Sequence, residues 1–324
     1  EPREDGGFNI VGSMQCPYYI SKAIANTMGM PEDKFAIRQA TIGGAFGGKE
    51  DYPSILAGYC AVLAHKAKRP VKIVYDRDED TEVSTKRHPA RMKYKTGVKK
   101  DGTITAMEIA VEMDAGAYVT MTPVVLSRGL IHSAGPYRCD NVSVEGWGYA
   151  TNNPHSGAFR GFGAPQVFFA LESHVDIVAK KLGMSPLEFR MRNMLVEGDS
   201  TATGQIMDDS CASKEVLETA AKKSLYEKKR EEFSKEKGNL RRGMGMAFFF
   251  HGAAFTGSGE DRIKGQAGFR LEPDGTFTVL TACTDMGQGA HTVVPQMAAD
   301  SLGVDLLLVG IETPDTSLVP NSGP

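Results

Sequence analysis

The stretch Thr41–Glu50 reads TIGGAFGGKE, and four of its ten residues are glycines gathered around Phe46. Glycine tolerates positive φ and lets backbone N–H groups come close to a ligand, so a loop of this kind suits an anion or a polar cofactor. The alternation in Phe35–Ala40 predicts a strand before it. After it, Ile55, Leu56, Tyr59, Val62 and Leu63 fall at i, i+1, i+4, i+7 and i+8, which predicts a helix with one apolar face. Strand, glycine loop and helix in this order aim a helix N-terminus at negative charge.

Outward from this loop, two more of similar character occur. Thr151–Gly157 leads from an expected strand over Val142–Ala150 into Ala158-Phe159-Arg160-Gly161-Phe162-Gly163-Ala164-Pro165-Gln166. A long helix follows, with Phe169, Leu171, Val175, Ile177, Val178 and Leu182 apolar and Gly183 as its cap. The third loop, Thr284–His291, opens a helix running to about Leu302. Between these landmarks, residues 8–13 read as a strand and Pro17–Met28 as a helix stopped by Gly29. Val71–Tyr75 reads as a buried strand ending in Asp76. Residues 91–98 and 103–113 read as a hairpin turned through Lys99-Lys100-Asp101-Gly102. A short helix, Val124–His132, carries Arg128, and Ser185–Asn193 opens with a capping signature. Residues 213–240, rich in Lys and Glu, read as a solvated helical linker. Met244–Phe250 and the hairpin around Pro273-Asp274-Gly275 begin a second lobe. The expected division is therefore 1–212, 213–240 and 241–324, in a mixed α/β fold.

Bulk properties bound the function. The chain has 324 residues, 41% of them hydrophobic and 24% charged, with a net charge of −3. That describes a sizeable core and no basic footprint for nucleic acid. No run approaches the roughly 20 apolar residues of a membrane span, and no apolar leader follows Glu1. The five cysteines are widely separated and form no CxxC pair, which argues against local zinc or iron–sulfur ligation and points to reduced thiols in a cytoplasm. The abrupt start and the ending at Pro320-Asn321-Ser322-Gly323-Pro324 read as a piece of something longer.

Gly43 to Lys49 also fits the phosphate-binding pattern G-x-x-x-x-G-K. The next residue is Glu50, however, where that motif needs a Ser or Thr hydroxyl for Mg²⁺, and a carboxylate there repels phosphate. Lys72 interrupts the strand that would carry the second Mg²⁺ ligand.

Taken together, GGAFGGKE, AFRGFGAPQ and MGQGAHT resemble, in order and along the whole chain, the molybdenum-cofactor domain of the xanthine oxidase family of molybdenum hydroxylases. The resemblance implies a two-lobed domain with the cofactor threaded between the lobes. Gln15 is similar to the glutamine that bonds the oxo ligand, Phe46 and Gly47 to the loop on the metal's apical side, and Arg160 to the residue whose backbone lies beside molybdenum. Gly287, Gln288 and Gly289 match the pterin-contacting loop. The metal is held through the pterin dithiolene, with no direct protein ligand. Phe162 and Phe255 resemble the aromatics that sandwich a flat heterocycle, with Thr256 in the same pocket. Glu50 and Arg128 resemble the polar pair that grips a purine, with Arg128 and Gln15 also implicated in catalysis. A polar pterin explains the residue types: several loops must offer N–H groups, and amides such as Gln15 and Gln288 both donate and accept.

The family's chemistry implies hydroxylation of an electron-poor carbon with oxygen from water. A glutamate base is expected beyond Pro324. Electrons are expected to pass to 2Fe–2S and FAD centres on other domains or subunits. The cofactor is expected with or without a cytosine dinucleotide extension, and another segment or chain is expected to complete the site. A relative that binds cofactor without turnover is the alternative.

Overall fold

The computed structural model describes residues 1–252 and 264–323. Three small sheets carry its architecture. Strands β1 (Phe8–Gly12) and β2 (Phe35–Gln39) pair in parallel. Helices α1 (Pro17–Met28) and α2 (Pro53–Ala67) cover them around Phe8, Ile20, Ile24, Phe35 and Ile37. Helix α1 begins with Pro17 at its first position and stops where Gly29 takes the left-handed conformation (φ 65°), the asymmetry expected of Pro and Gly at helix ends.

The second sheet orders β3 (Ala90–Val98), β4 (Ile104–Gly116) and β5 (Val142–Ala150), antiparallel and then parallel. Alternate β4 residues Met107, Ile109, Val111 and Met113 face the largest apolar cluster. Helices α4 (Thr122–His132), α5 (Ala164–Leu182) and α6 (Pro186–Asn193) close over it. Ser185 caps α6 by accepting the Glu188 N–H at 3.0 Å. Beneath α5, Arg190 is fully buried and bonds Glu172 (Nε–Oε2, 2.9 Å) and Asp176 (Nη1–Oδ1, 2.7 Å), while Tyr137 donates to Glu172 at 2.5 Å.

A third sheet, β6 (Gly268–Leu271), β7 (Phe277–Leu280) and β8 (Val309–Ile311), packs on α9 (Ala290–Leu302). Its chain returns to the first sheet: Gln39 N–H donates to Pro314 O at 3.0 Å, Thr316 N–H to Ile37 O at 3.0 Å, and Tyr18 Oη–H to Val319 O at 2.5 Å. The N- and C-terminal portions are thereby joined edge to edge.

Five expectations need correction. Val71–Asp76 forms no strand and pairs with none among the described residues; Val74 is exposed, and Asp76 instead caps α3 (Arg77–Val83) in a capping box with Glu79. The apolar stripe of α2 faces outward, leaving Ile55, Tyr59 and Leu63 exposed, whereas the buried side is Ala57, Gly58, Ala61 and Ala64. Small residues win that face because α1 crosses close by. On α5, Phe169 and Ile177 likewise point outward. The Lys/Glu-rich linker is two helices, α7 (Ser213–Ser224) and α8 (Tyr226–Ser234), broken at Leu225 with φ 55° and anchored by buried Leu217 and Tyr226. Finally, Met246–Phe250 packs on the first body: Phe248 joins the main cluster and donates its N–H to Glu172 at 2.6 Å. Arg190 donates to Met246 O at 3.1 Å.

Candidate cofactor and substrate site

The first and third glycine-rich loops meet at Gln15, which sits between β1 and α1, and the second docks on the first. Its side-chain Oε1 accepts the N–H groups of Gly47 (3.0 Å) and Lys49 (3.2 Å), and its own N–H donates to Lys49 O at 2.8 Å. Thr284 of the third loop donates its hydroxyl to Gln15 O at 2.8 Å. The second loop docks on the first, with Arg160 N–H donating to Phe46 O at 2.8 Å. Gly47 explains the closeness: at φ 93°, a Cβ there would lie 2.7 Å from Phe159 Cα and 2.9 Å from Ala158 O.

Phe46 and Phe162 both adopt positive φ, 54° and 50°. Such a conformation in a non-glycine residue costs on the order of 1–3 kcal/mol and persists only where the surroundings enforce it. Phe46 is 65% exposed. Phe162 packs at the edge of the main cluster. Helix α4 reaches the same loop, because a Cβ on Gly163 would fall 2.2 Å from Val125 O. Arg128 is on that helix, buried, with Nη1 3.5 Å from Gly252 O. Burial lowers its pKa.

Glu50 is 8% exposed, and desolvation, aided by the neighbouring Asp51 charge, pushes its pKa up to about 7. Asp51 is itself raised by burial, although the backbone N–H groups of Asp51 and Tyr52 and the charge of His155 oppose that. A carboxyl held near half-protonation can donate as well as accept a hydrogen bond around neutral pH.

Several groups at this junction remain available to a ligand. The N–H groups of Gly43, Gly44, Ala45 and Phe46 have no protein acceptor among the described residues, and neither does the Gln15 side-chain nitrogen. Gly47–Glu50, by contrast, use their N–H groups within the protein. A row of four backbone donors beside an amide NH₂ fits a polar, oxygen-bearing cofactor such as a molybdenum pterin. Gln288 is different. Its Oε1 accepts the Met286 N–H at 2.7 Å and its Nε2 donates to Thr284 O at 2.8 Å, so both ends of the amide fold the loop. Asp285 Oδ1 similarly takes the Gly287 N–H and Oδ2 the His291 N–H. Gly289, at φ 83°, starts α9.

Phe255 and Thr256 lie outside the described residues. A phosphate-binding loop finds no support: Lys49 Nζ donates to Ser13 Oγ at 2.8 Å, and α2 starts only at Pro53. Asp51, Thr284 and Asp285 join the site beyond the residues that the motifs point to. Asp51 acts on its neighbour Glu50 and Asp285 stands just ahead of Gly-x-Gly, whereas Thr284 acts through Gln15, distant in sequence.

Residues 1–194 and 219–324 each match a family model described as a molybdopterin cofactor-binding domain. The chain is 35% identical over 323 residues to a probable xanthine dehydrogenase subunit of Bacillus subtilis (strain 168), covering 99% of this chain and 42% of that protein. It is 42% identical over 230 residues to the nicotinate dehydrogenase large molybdopterin subunit of Eubacterium barkeri, covering 70% of this chain and 54% of the relative. In structure it superimposes on the aldehyde oxidoreductase of Desulfovibrio gigas with a TM-score of 0.82 at 30% identity, covering 99% of this chain and 35% of the other. The chain thus spans only part of the length of the proteins it matches.

Proposed function

The chain belongs to the molybdopterin cofactor-binding domains of the xanthine oxidase family, and from that premise we propose that it forms part of a molybdenum-dependent hydroxylase acting on a purine or related N-heterocycle. When bound, the cofactor supplies the two-electron redox chemistry of hydroxylation, with water as the oxygen source. Gln15 would hold it through the free side-chain NH₂, aided by the N–H row Gly43–Phe46. Phe46, Gly47 and Arg160 fix the approach of the first two loops, and the Gly287–Gly289 turn forms the third wall.

The observation that carries the substrate class is Glu50, a buried carboxyl next to the Gln15-bound loop and poised near neutral pH. Such a group donates to a ring carbonyl or nitrogen in one protonation state and accepts a ring N–H in the other. Arg128 adds a permanent cation that can stabilise negative charge developing on a ring oxygen, an effect larger in the transition state than in binding. Phe162 supplies a face for a flat ring, with Phe255 and Thr256 as its expected companions. Nicotinate, the substrate in one relative's name, is an N-heterocycle whose carboxylate also suits Arg128.

Electrons would leave through 2Fe–2S and FAD centres on other domains or subunits, with another segment completing the site. The described cysteines are all unpaired thiols, in keeping with a cytoplasmic setting. The test uses the complete enzyme. Removing a charge-assisted hydrogen bond worth roughly 1.5–3 kcal/mol lowers rates about ten- to a hundredfold. Arg128→Met should lower kcat/KM by that factor for a purine or nicotinate while sparing aldehydes. An enzyme that oxidises aldehydes efficiently and ignores N-heterocycles overturns the proposal.

A further inference from the structure

Arg87 lies on the link between α3 and β3, far in sequence from any glycine loop, yet its guanidinium reaches the centre of the second one. Nη2 donates to Arg160 O at 3.0 Å, and Nη1 donates to Phe162 O at 3.1 Å and to Gln166 Oε1 at 3.3 Å. The guanidinium carbon lies 5.7 Å from the ring centroid of Phe159. One planar fork therefore gathers the carbonyls on either side of Gly161, in a turn where Gly161 and Phe162 both take positive φ (87° and 50°). A lysine, with a single point of charge, cannot bridge them in the same way.

The base of the fork is fixed independently. Lys86 N–H donates to His155 O at 3.3 Å and Gly157 N–H to Lys86 O at 2.9 Å, which ties the link to the chain entering the loop. Among the described residues no carboxylate forms an ion pair with Arg87. Its charge is used on carbonyl dipoles and an aromatic face.

We propose that Arg87 is a positioning residue that holds the Arg160–Phe162 segment in the shape that presents the Phe162 ring to a flat substrate. This rests on the proposed function, in which Phe162 lines the substrate slot. Without the fork, two consecutive positive-φ residues lose their shared restraint, the Phe162 ring samples other orientations, and the exposed Arg160–Gly161 bond opens to protease.

Two readouts separate positioning from general folding. In the complete enzyme, Arg87→Met should raise KM for an aromatic N-heterocycle about tenfold or more, with kcat and molybdenum content changed less than about twofold. Limited trypsin digestion should cut after Arg160 about tenfold faster than in the wild type, and this requires no turnover. Arg87→Lys, which keeps charge and is the variant to use if Arg87→Met fails to accumulate, should show both effects. Arg87→Ala should recover a low KM when millimolar guanidinium is added. An unchanged KM and cleavage rate in Arg87→Lys overturn the proposal, as does an equal loss for ring substrates and aliphatic aldehydes. Phe162→Ala is the control: if it leaves the ring-substrate KM unaltered, the substrate slot itself is wrong and both proposals fall. If it raises KM while the Arg87 variants do not, only the role of Arg87 falls.

Discussion

The side chain of Gln15 accepts a hydrogen bond from the backbone of Gly47, 32 residues away, at 3.0 Å. One amide oxygen thus fixes the turn of the first glycine loop, while the amide nitrogen stays without a protein acceptor among the described residues. The same residue shapes the loop and keeps a donor for a ligand.

That division of labour separates the two glutamines. Gln15→Ala removes the acceptor for two half-buried N–H groups and should destabilise the protein by about 1–3 kcal/mol. It should also lower molybdenum content in the complete enzyme. Gln288→Ala should act through the fold of its own loop, with a smaller loss of metal. Metal analysis paired with thermal unfolding checks this, and full molybdenum occupancy in Gln15→Ala would refute it.

Glu50 makes stability depend on pH. Its folded-state value near 7 lies above that of a free glutamate, so the neutral form is the one the fold favours. The contribution is complete below about pH 4.3 and is lost as pH rises through 7, up to roughly 3–4 kcal/mol at 1.36 kcal/mol per unit. Glu50→Gln should flatten the stability profile between pH 5 and 8 relative to wild type. Parallel denaturant titrations at several pH values measure it, and identical profiles would dismiss the assignment.

Arg190 is fully buried against Glu172, with Asp176, Tyr137 and the Phe248 N–H completing the network. Removing one partner leaves an uncompensated buried charge, at a cost of about 3–5 kcal/mol. Arg190→Met should be strongly destabilising, and Arg190→Met/Glu172→Met should recover much of the loss. A double variant no better than the single one would show that the charges do not act as a pair.

Gly47→Ala meets two obstacles at once, a left-handed backbone and a Cβ 2.7 Å from Phe159 Cα. The first and second loops should separate, with a loss of more than about 1 kcal/mol. Gly43→Ala, whose Cβ meets nothing within 4 Å, should be tolerated. Equal stability of the two variants would remove the interlock.

Local chemistry is enough to read many elements. Pro17 and Gly29 bound α1, Ser185 caps α6, and Lys99–Gly102 turns β3 into β4, because each signal acts within a few residues. The spacing of Ile55, Tyr59 and Leu63 correctly indicates a helix but not which face is buried. That depends on how close α1 lies, and close approach selects the alanine side. Val71–Tyr75 has strand composition, yet a strand needs a partner, and none pairs with it among the described residues.

The three glycine loops and Gln15 are explicit in the chain, and by themselves they determine the family and the kind of cofactor. Glycine spacing is a local property that survives without coordinates. What the fold alone decides is which donors stay available. Gln15 keeps its NH₂ while Gln288 uses both ends of its amide, and Glu50 becomes poised because burial beside Asp51 removes the water that would ionise it. Arg87 carries no motif at all. Its role arises because a link between α3 and β3 passes within hydrogen-bond reach of Arg160 and Phe162, a proximity that only tertiary packing creates.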